Sequence, residues 1–182
     1  QTFTITVNPI PDINNVASQT VCNNAATSSI NFSGSVSGTN YTWTNSNPSI
    51  GLSASGSGNI PSFTAINATG TSVTSPVTVT PTFGSCTGSP EIFGITVNPS
   101  PVVNSVSNQN VCTGSNTAAI NFSGNVAGAT YNWTNNNPSI GLAAIGTGNI
   151  ASFTAINTGT TTETATITVT PVDPGSSCPG TP

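Results

Sequence analysis

The sequence predicts an all-β chain made of two tandem β-sandwich domains. The main observation is an internal repeat: residues 1–81 align without a gap onto residues 91–171, with 47 identical residues in 81 pairs. In addition, short stretches alternate apolar and Thr residues between turn residues, whereas no stretch has the 3.6-residue period of a helix. A repeat of about 90 residues is close in size to one β-sandwich domain, so we expect one sandwich per copy.

The predicted strands follow one another in the same order in both copies. Phe3, Ile5 and Val7 alternate with Thr, which is typical of a strand with one buried face. The predicted strands are Phe3–Val7, ahead of the first repeat, and within that repeat Ile30–Phe32, Tyr41–Trp43, Ile60–Ile66, Val73–Val79 and Ile92–Val97. The predicted core consists of the strand aromatics of both copies: Phe32, Tyr41 and Trp43, with Phe122, Tyr131 and Trp133 at the equivalent positions.

The phase of the repeat predicts three segments. We expect residues 1–9 to be the last strand of a preceding repeat or a donor strand, residues 10–99 to form the first repeat, and residues 100–182 to form a second repeat that lacks its last strand. Joining the two ends of the chain gives C-PGTP-QTFTITVNP, which matches the internal C-TGSP-EIFGITVNP position for position. Two arrangements stay open: one continuous tandem array, or separate subunits that each lend residues 1–9 to a neighbour. We prefer the array because the join needs neither a gap nor an overlap.

The connection between the domains has the pattern N-P-x-P in both copies. Pro9 and Pro11 occupy it at the start of the first repeat, and Pro99 and Pro101 occupy it at the start of the second. Two prolines favour an extended backbone with little rotational freedom. We therefore expect a semi-rigid spacer between successive domains.

Charge is almost absent from the chain. It contains no Lys, Arg or His, and charged residues make up 2% of the sequence. Nucleic-acid binding through phosphates, Schiff-base chemistry and His general-base catalysis are therefore excluded. We expect no catalytic residue, no cofactor, no metal site and no membrane span. The carboxylates do not recur between the copies; they are Asp12, Glu91, Glu163 and Asp173.

The cysteines occur at two equivalent positions in each copy, and three pairings are open in principle. The simplest pairing joins Cys22 to Cys86 and Cys112 to Cys178, with one disulfide inside each domain. A bond between Cys86 and Cys112 ranks second, because it would have to span a domain junction. Any of these pairings implies an oxidising setting outside the cytoplasm.

Two further features concern carbohydrate. Asn40 and Asn67 lie in N-x-S/T triplets and are the predicted acceptors of glycosylation. Trp43 and Trp133 have the chemistry to stack on sugars, but each alternates with Tyr as core residues of a strand do. We therefore expect both Trp side chains to be buried, and an exposed aromatic cluster would instead favour a polysaccharide-binding module.

The repeated motifs VC, INFSG, YxWTNxNPSIGL, SFTAIN, TVTP and FxITVNP resemble the PKD-like (Ig-like) repeats of very large bacterial surface proteins. The resemblance covers essentially the whole chain. It implies tandem Ig-like sandwiches in an extracellular filament or adhesin stalk of the kind exported by the type IX route. The implied partners are identical repeats, end to end and laterally, with a surface polysaccharide as a further ligand. It implies no catalytic residues.

Overall fold

The computed structural model of the chain describes residues 1–176 and 178–180. They divide into two compact units, one formed by Gln1–Ala68 and Ser72–Asn98, the other by Thr69–Thr71 and Pro99–Pro182. The described residues contain β-strands and short 3-10 turns but no α-helix, so the all-β prediction is confirmed. The 3-10 turns of the described residues are far too short to cross a membrane. Ser177, Thr181 and Pro182, which the predicted second repeat includes, lie outside the described residues.

The first unit is built on one six-stranded sheet. Its strands lie in the order β1-β6-β4-β2-β3, and β5 forms a hairpin with the end of β4. All these pairs are antiparallel except β1 with β6, which run parallel. The strands are β1 (Gln19–Cys22), β2 (Asn40–Asn45), β3 (Ser55–Ser57), β4 (Val73–Phe83), β5 (Cys86–Thr87) and β6 (Glu91–Asn98).

A second, less regular layer covers this sheet. Residues 24–32 and 60–67 run antiparallel and exchange backbone hydrogen bonds, among them the reciprocal pair between Ile30 and Ile60, at 2.8 and 2.9 Å. The core lies between the two layers, as in a β-sandwich. The core contains the sheet residues Trp43, Val77, Val79, Phe93, Ile95 and Val97. Against them lie Ile30, Phe32, Ile60 and Ala65 of the covering layer, together with Ile50 and Leu52 from the turn that follows β2.

The second unit repeats the centre of this arrangement with a smaller sheet. Its strands β7 (Thr130–Asn135), β8 (Ile145–Thr147) and β9 (Ile167–Val172) lie in the order β8-β7-β9. The register is also repeated, because Trp133 lies opposite Gly146 and Val169 just as Trp43 lies opposite Gly56 and Val79. Its covering layer keeps the reciprocal bonds between Ile120 and Ile150.

The two units differ in the strands that flank the sheet centre. Within the described residues, no strand of the second unit corresponds to β6, and residues 109–112, which correspond to β1, form no strand. The reason is that β1 pairs only with β6, so it cannot form where that partner is missing. As a result Val77 and Val79 are fully buried, whereas their counterparts Ile167 and Val169 are only partly buried.

Three of the predicted strands form no continuous strand in the structure. Phe3–Val7, which we assign to a preceding repeat or to a donor strand, has no partner among the described residues, and Phe3, Ile5 and Val7 are 84%, 81% and 88% exposed. Ile30–Phe32 and Ile60–Ile66 make isolated bridges instead of a continuous ladder. Pro61 lies inside the latter stretch and cannot donate a backbone hydrogen bond, which limits a regular ladder there.

We predict that substitutions in β6 distinguish its two faces. Ile95→Ala should destabilise the first unit by about 3 kcal/mol, because it leaves a cavity at a fully buried position. Ile92→Ala is the matched control, since Ile92 lies on the same strand and is 64% exposed. Urea unfolding followed by Trp43 fluorescence in a Trp133→Phe background reports the first unit alone. Equal effects of the two substitutions would contradict the assigned faces.

Candidate functional site

The Trp residues are structural in both units. Trp43 and Trp133 are each 7% exposed, and a Cβ placed on the opposing Gly56 or Gly146 would lie 2.2 or 2.1 Å from the indole Cζ2 atom. Each indole therefore packs directly on the glycine backbone of the neighbouring strand. Trp133 also donates its Nε1 proton to the carbonyl oxygen of Gly148, at 3.1 Å. Both side chains are buried as expected, and neither is available for stacking on a sugar.

The other predicted core aromatics form one small cluster in each unit. The ring centroids of Phe32 and Tyr41 lie 5.7 Å apart, and those of Phe122 and Tyr131 lie 5.6 Å apart. Phe32 also meets Phe93 of β6, at 6.4 Å. Phe32 is buried, whereas its counterpart Phe122 is only partly buried, since the second unit has no described equivalent of Phe93.

The carboxylates are dispersed and serve local structure. Asp12 accepts hydrogen bonds from the backbone N–H and the hydroxyl of Ser35, at 2.6 and 2.9 Å. The backbone N–H of Ser35 contributes most to holding the pKa of Asp12 below its ordinary value of 3.8. The second unit has a hydrogen bond between the equivalent positions, with donor and acceptor exchanged. The N–H of Val102, which corresponds to Asp12, donates to Oδ1 of Asn125, which corresponds to Ser35, at 2.7 Å. No cluster of three metal-ligating side chains occurs among the described residues.

The cysteines of the first unit lie at opposite ends of its sheet. Cys22 is in register with Asn98, the last residue of β6, so it lies at the end where the chain leaves the unit. Cys86 lies opposite Phe83 at the other end, and its Sγ is 3.8 Å from the carbonyl oxygen of Asn8. We call these the downstream end and the upstream end.

The expected disulfide between Cys22 and Cys86 is therefore wrong. The 11-residue strand β4 runs from one end to the other, which separates the two ends by roughly 33 Å at about 3.3 Å per residue. A disulfide requires Cα atoms within about 7 Å. In the structure Cys86 and Cys112 carry free thiols, so neither Cys22–Cys86 nor Cys112–Cys178 is formed.

The predicted glycosylation sites differ in accessibility. Asn40 is exposed at the start of β2. Asn67 is 5% exposed and donates its Nδ2 proton to the carbonyl oxygen of Val97, at 2.7 Å. Since glycosylation would place a sugar on this buried nitrogen, the folded first unit cannot carry a glycan at Asn67.

Three of the four spacer prolines are buried. Pro11, Pro99 and Pro101 are fully buried, whereas Pro9 is exposed. A Cβ on Gly88 would lie 1.9 Å from the carbonyl oxygen of Pro11, and one on Gly180 would lie 2.1 Å from that of Pro101. Glycine at these two positions lets each spacer lie directly against the hairpin of its unit.

The candidate interaction site is the exposed edge of β9 together with residues 109–112, which we call the β9 slot. Within the described residues β9 pairs only with β7 along its length, so its other edge has no strand beside it. Residues 109–112 are the counterparts of β1, and the Gln109 side chain accepts from the Ala118 N–H at 2.8 Å and donates to the Ala118 carbonyl at 3.0 Å. Gln19 makes the same two bonds with Ser28 in the first unit, where β6 fills the equivalent place.

The chain also carries a segment with the sequence of the strand that the β9 slot lacks. Residues 3–9 read FTITVNP, and residues 93–99 of the first unit read FGITVNP. Phe93, Ile95 and Val97 are 3%, 0% and 0% exposed between β1 and β4. The same three side chains at positions 3, 5 and 7 are largely exposed. Repeat alignment could locate both halves of this site, but only the structure shows that they are unpaired.

Comparison with known proteins gives no assignment. No protein-family model matches the chain, and no curated protein matches its sequence.

We predict that the glycine beneath each indole cannot be replaced. Gly56→Ala should destabilise the first unit by about 2 kcal/mol, because the added methyl overlaps the Trp43 ring. Ser57→Ala, at the exposed neighbouring position, should have little effect. Thermal unfolding of both variants measures the difference, and a Gly56→Ala chain as stable as the parent would show that the indole packs elsewhere.

We predict that acid breaks the contact between Asp12 and Ser35. The pKa of Asp12 is lowered in the folded state, so the contact is fully present above the ordinary carboxyl pKa and is lost as pH falls through the lower, folded value. The Ser35 amide proton should shift in an NMR titration with a midpoint below pH 3.8. The shift should disappear in Asp12→Asn, whereas a midpoint above 3.8 would contradict the contact.

Proposed function

We propose that the chain is a structural repeat unit of an extracellular filament or adhesin stalk, built from tandem Ig-like β-sandwiches. The observation that carries the proposal is that one strand sequence occurs twice, once buried in a sheet and once exposed without a partner strand. As β6 it is buried at the centre of a sheet, and as residues 3–9 it is exposed, while the β9 slot offers the place of that strand. Strand addition to an open sheet edge is a known mode of assembly.

The sides of the slot match the segment chemically. In the first unit β6 pairs with β4 from Val79 to Val73 and with β1 from Gln19 to Cys22, and both neighbours have counterparts in the second unit. A strand seated in the slot would cover Ile167 and Val169 with the side chains that cover Val77 and Val79 in the first unit. Burial of three large apolar side chains contributes several kcal/mol, at about 1.5–3 kcal/mol each.

The composition fits a repetitive structure outside the cell. A surface with neither Lys nor Arg offers trypsin-like proteases no cleavage site. With a net charge of −4 over 182 residues, neighbouring filaments would repel each other only weakly, which permits lateral contact. The alternative of a polysaccharide-binding module lacks the exposed Trp residues that it would use.

The strand can reach the slot in two ways. In a continuous array the next repeat of the same polypeptide supplies it, and in a donor-strand polymer a separate subunit supplies it. We prefer the array because the segments join without gap or overlap. Both arrangements connect repeats end to end through the same contact.

We predict that a free peptide QTFTITVNP binds the β9 slot. The acceptor is the chain with Ile5→Asp, which cannot donate its own strand because Ile5 corresponds to the fully buried Ile95. A fluorescent peptide should gain anisotropy with this acceptor, and the Trp133 unfolding transition should move to higher urea concentration. A peptide carrying Ile5→Asp should not bind.

The matched control is a peptide carrying Thr2→Asp, which adds the same charge where the counterpart Ile92 is 64% exposed. It should bind like the parent peptide. Equal loss of binding with both substitutions, or no binding of the parent peptide, would contradict strand addition. The denatured mass of native material separates the two arrangements, because a species of 18.0 kDa would exclude the continuous array.

A further inference from the structure

We propose that the β9 slot has a polar clamp at its downstream end, formed by the Asn157 carboxamide, the Thr113 N–H and the Thr162 hydroxyl, which selects an incoming strand that ends in Val-Asn. The inference deepens the proposed function, on which it rests, because it names the residues that recognise the strand. It follows from the contacts that hold the end of β6 in the first unit and from the contacts that Asn157 makes in the second.

Polar groups from outside the sheet ladder hold the last two residues of β6 in the first unit. The Asn67 side chain donates its Nδ2 proton to the carbonyl oxygen of Val97, at 2.7 Å. The Asn23 N–H donates to the carbonyl oxygen of Asn98 at 2.8 Å, and the Ser72 hydroxyl donates to Oδ1 of Asn98 at 2.7 Å. The end of the strand is therefore fixed by a carboxamide, a backbone N–H and a hydroxyl.

The bond from Asn67 is the most deeply buried of these contacts. Asn67 is 5% exposed and Val97 is 0% exposed. Asn67 ends the covering layer and Val97 belongs to the sheet, so the bond joins the two layers of the sandwich. Without this donor, the Val97 carbonyl would lose a partner that water could not replace, and a buried unpaired acceptor is costly.

The second unit has a group of the same kind at each of these positions. The local geometry is also kept, because the Asn157 N–H donates to Oγ1 of Thr113 at 3.0 Å, as the Asn67 N–H donates to Oδ1 of Asn23 at 2.8 Å. In the repeat alignment the counterparts of Asn23, Asn67 and Ser72 are Thr113, Asn157 and Thr162.

The Asn157 carboxamide is turned onto its own loop, where Asn67 instead reaches β6. Its Nδ2 donates to the carbonyl oxygen of Thr161 at 2.8 Å, and its Oδ1 accepts from the Gly159 N–H at 2.8 Å. Asn157 is only partly buried, and Thr161 is exposed. Water can therefore replace the carboxamide at the Thr161 carbonyl at little cost, which allows Asn157 to turn its donor to an incoming strand.

The segment FTITVNP carries an acceptor for each group of the clamp. Val7 and Asn8 correspond to the last two residues of β6. In the slot the Val7 carbonyl would accept from Asn157, and the Asn8 carbonyl would accept from the Thr113 N–H. Any strand offers these carbonyls, but the Thr162 hydroxyl requires a side-chain oxygen at the position of Asn8. The clamp thus distinguishes this strand from other segments with the same apolar alternation.

The clamp is tested with two acceptor chains in the Ile5→Asp background. Asn157→Asp keeps an oxygen for the Gly159 N–H but has no side-chain donor, so the Val7 carbonyl of a bound strand would be buried without this partner. It should bind the peptide QTFTITVNP about tenfold more weakly than the parent acceptor. Thr158→Asp is the matched control, since it adds the same charge at the exposed neighbouring position, and it should bind like the parent acceptor.

Selection of the strand end is tested on the peptide. Asn8→Leu removes the side-chain oxygen at nearly constant size and should weaken binding to the parent acceptor several-fold. Asn8→Asp keeps an oxygen acceptor and should restore most of the affinity. Equal binding of the parent peptide and of both variants would overturn selection at this position.

A purely structural role of Asn157 is excluded by two further measurements. Without peptide, Asn157→Asp should unfold at nearly the same urea concentration as its parent, whereas Asn67→Asp should destabilise the first unit, where the strand is already in place. The side-chain amide protons of Asn157 are identified in NMR spectra by their absence in Asn157→Asp. They should exchange with solvent more slowly once the peptide is bound, and unchanged exchange would contradict the clamp.

Failure of the clamp and failure of strand addition give different results. If the parent peptide binds and the Asn157→Asp chain binds it as tightly as the Thr158→Asp chain, the clamp is overturned and strand addition stands. If the parent peptide does not bind the parent acceptor, strand addition and the clamp are both overturned.

Discussion

The rest of the structure depends on β6, the strand between β1 and β4. It pairs with a neighbour on each edge and places Phe93, Ile95 and Val97 in the core. The second unit demonstrates what depends on it, because without a described counterpart the β1-like segment forms no strand and the residues facing it are less buried. The second unit still has the Trp ring packed on the opposing Gly, and it still has the covering layer, although it lacks a described counterpart of this strand. The proposed strand addition would supply the second unit with this strand.

The positions of the cysteines have a related physical basis. A sandwich that receives the chain at one end and releases it at the other has two distant ends, and a cysteine at each end cannot close a loop within the domain. The nearly uncharged surface leaves few electrostatic contacts to add to the packing of the fold.

Sequence reasoning was most successful where a local pattern decides the structure. Alternation placed Trp43 and Trp133 on the buried face, and the structure confirms both. Phe3–Val7 has the alternation of a strand, but its exposure is that of a segment with no partner among the described residues. Alternation describes what a segment would bury, whereas a strand forms only where a partner is present. The pairing of Cys22 with Cys86 was wrong for a similar reason, since spacing along the chain does not indicate distance in space.

The sequence by itself determined the repeat, its period, the all-β class and the exclusion of chemistry that needs Lys, Arg or His. These properties are local or compositional, so no knowledge of contacts is required to derive them. Only the tertiary structure decided which strands pair, that the β9 slot has no strand beside β9 among the described residues, that Asn67 is buried, and that the two cysteines of the first unit lie at opposite ends. Each of these depends on residues far apart in the chain, whose proximity is set by hydrogen bonding between strands and by packing of the core.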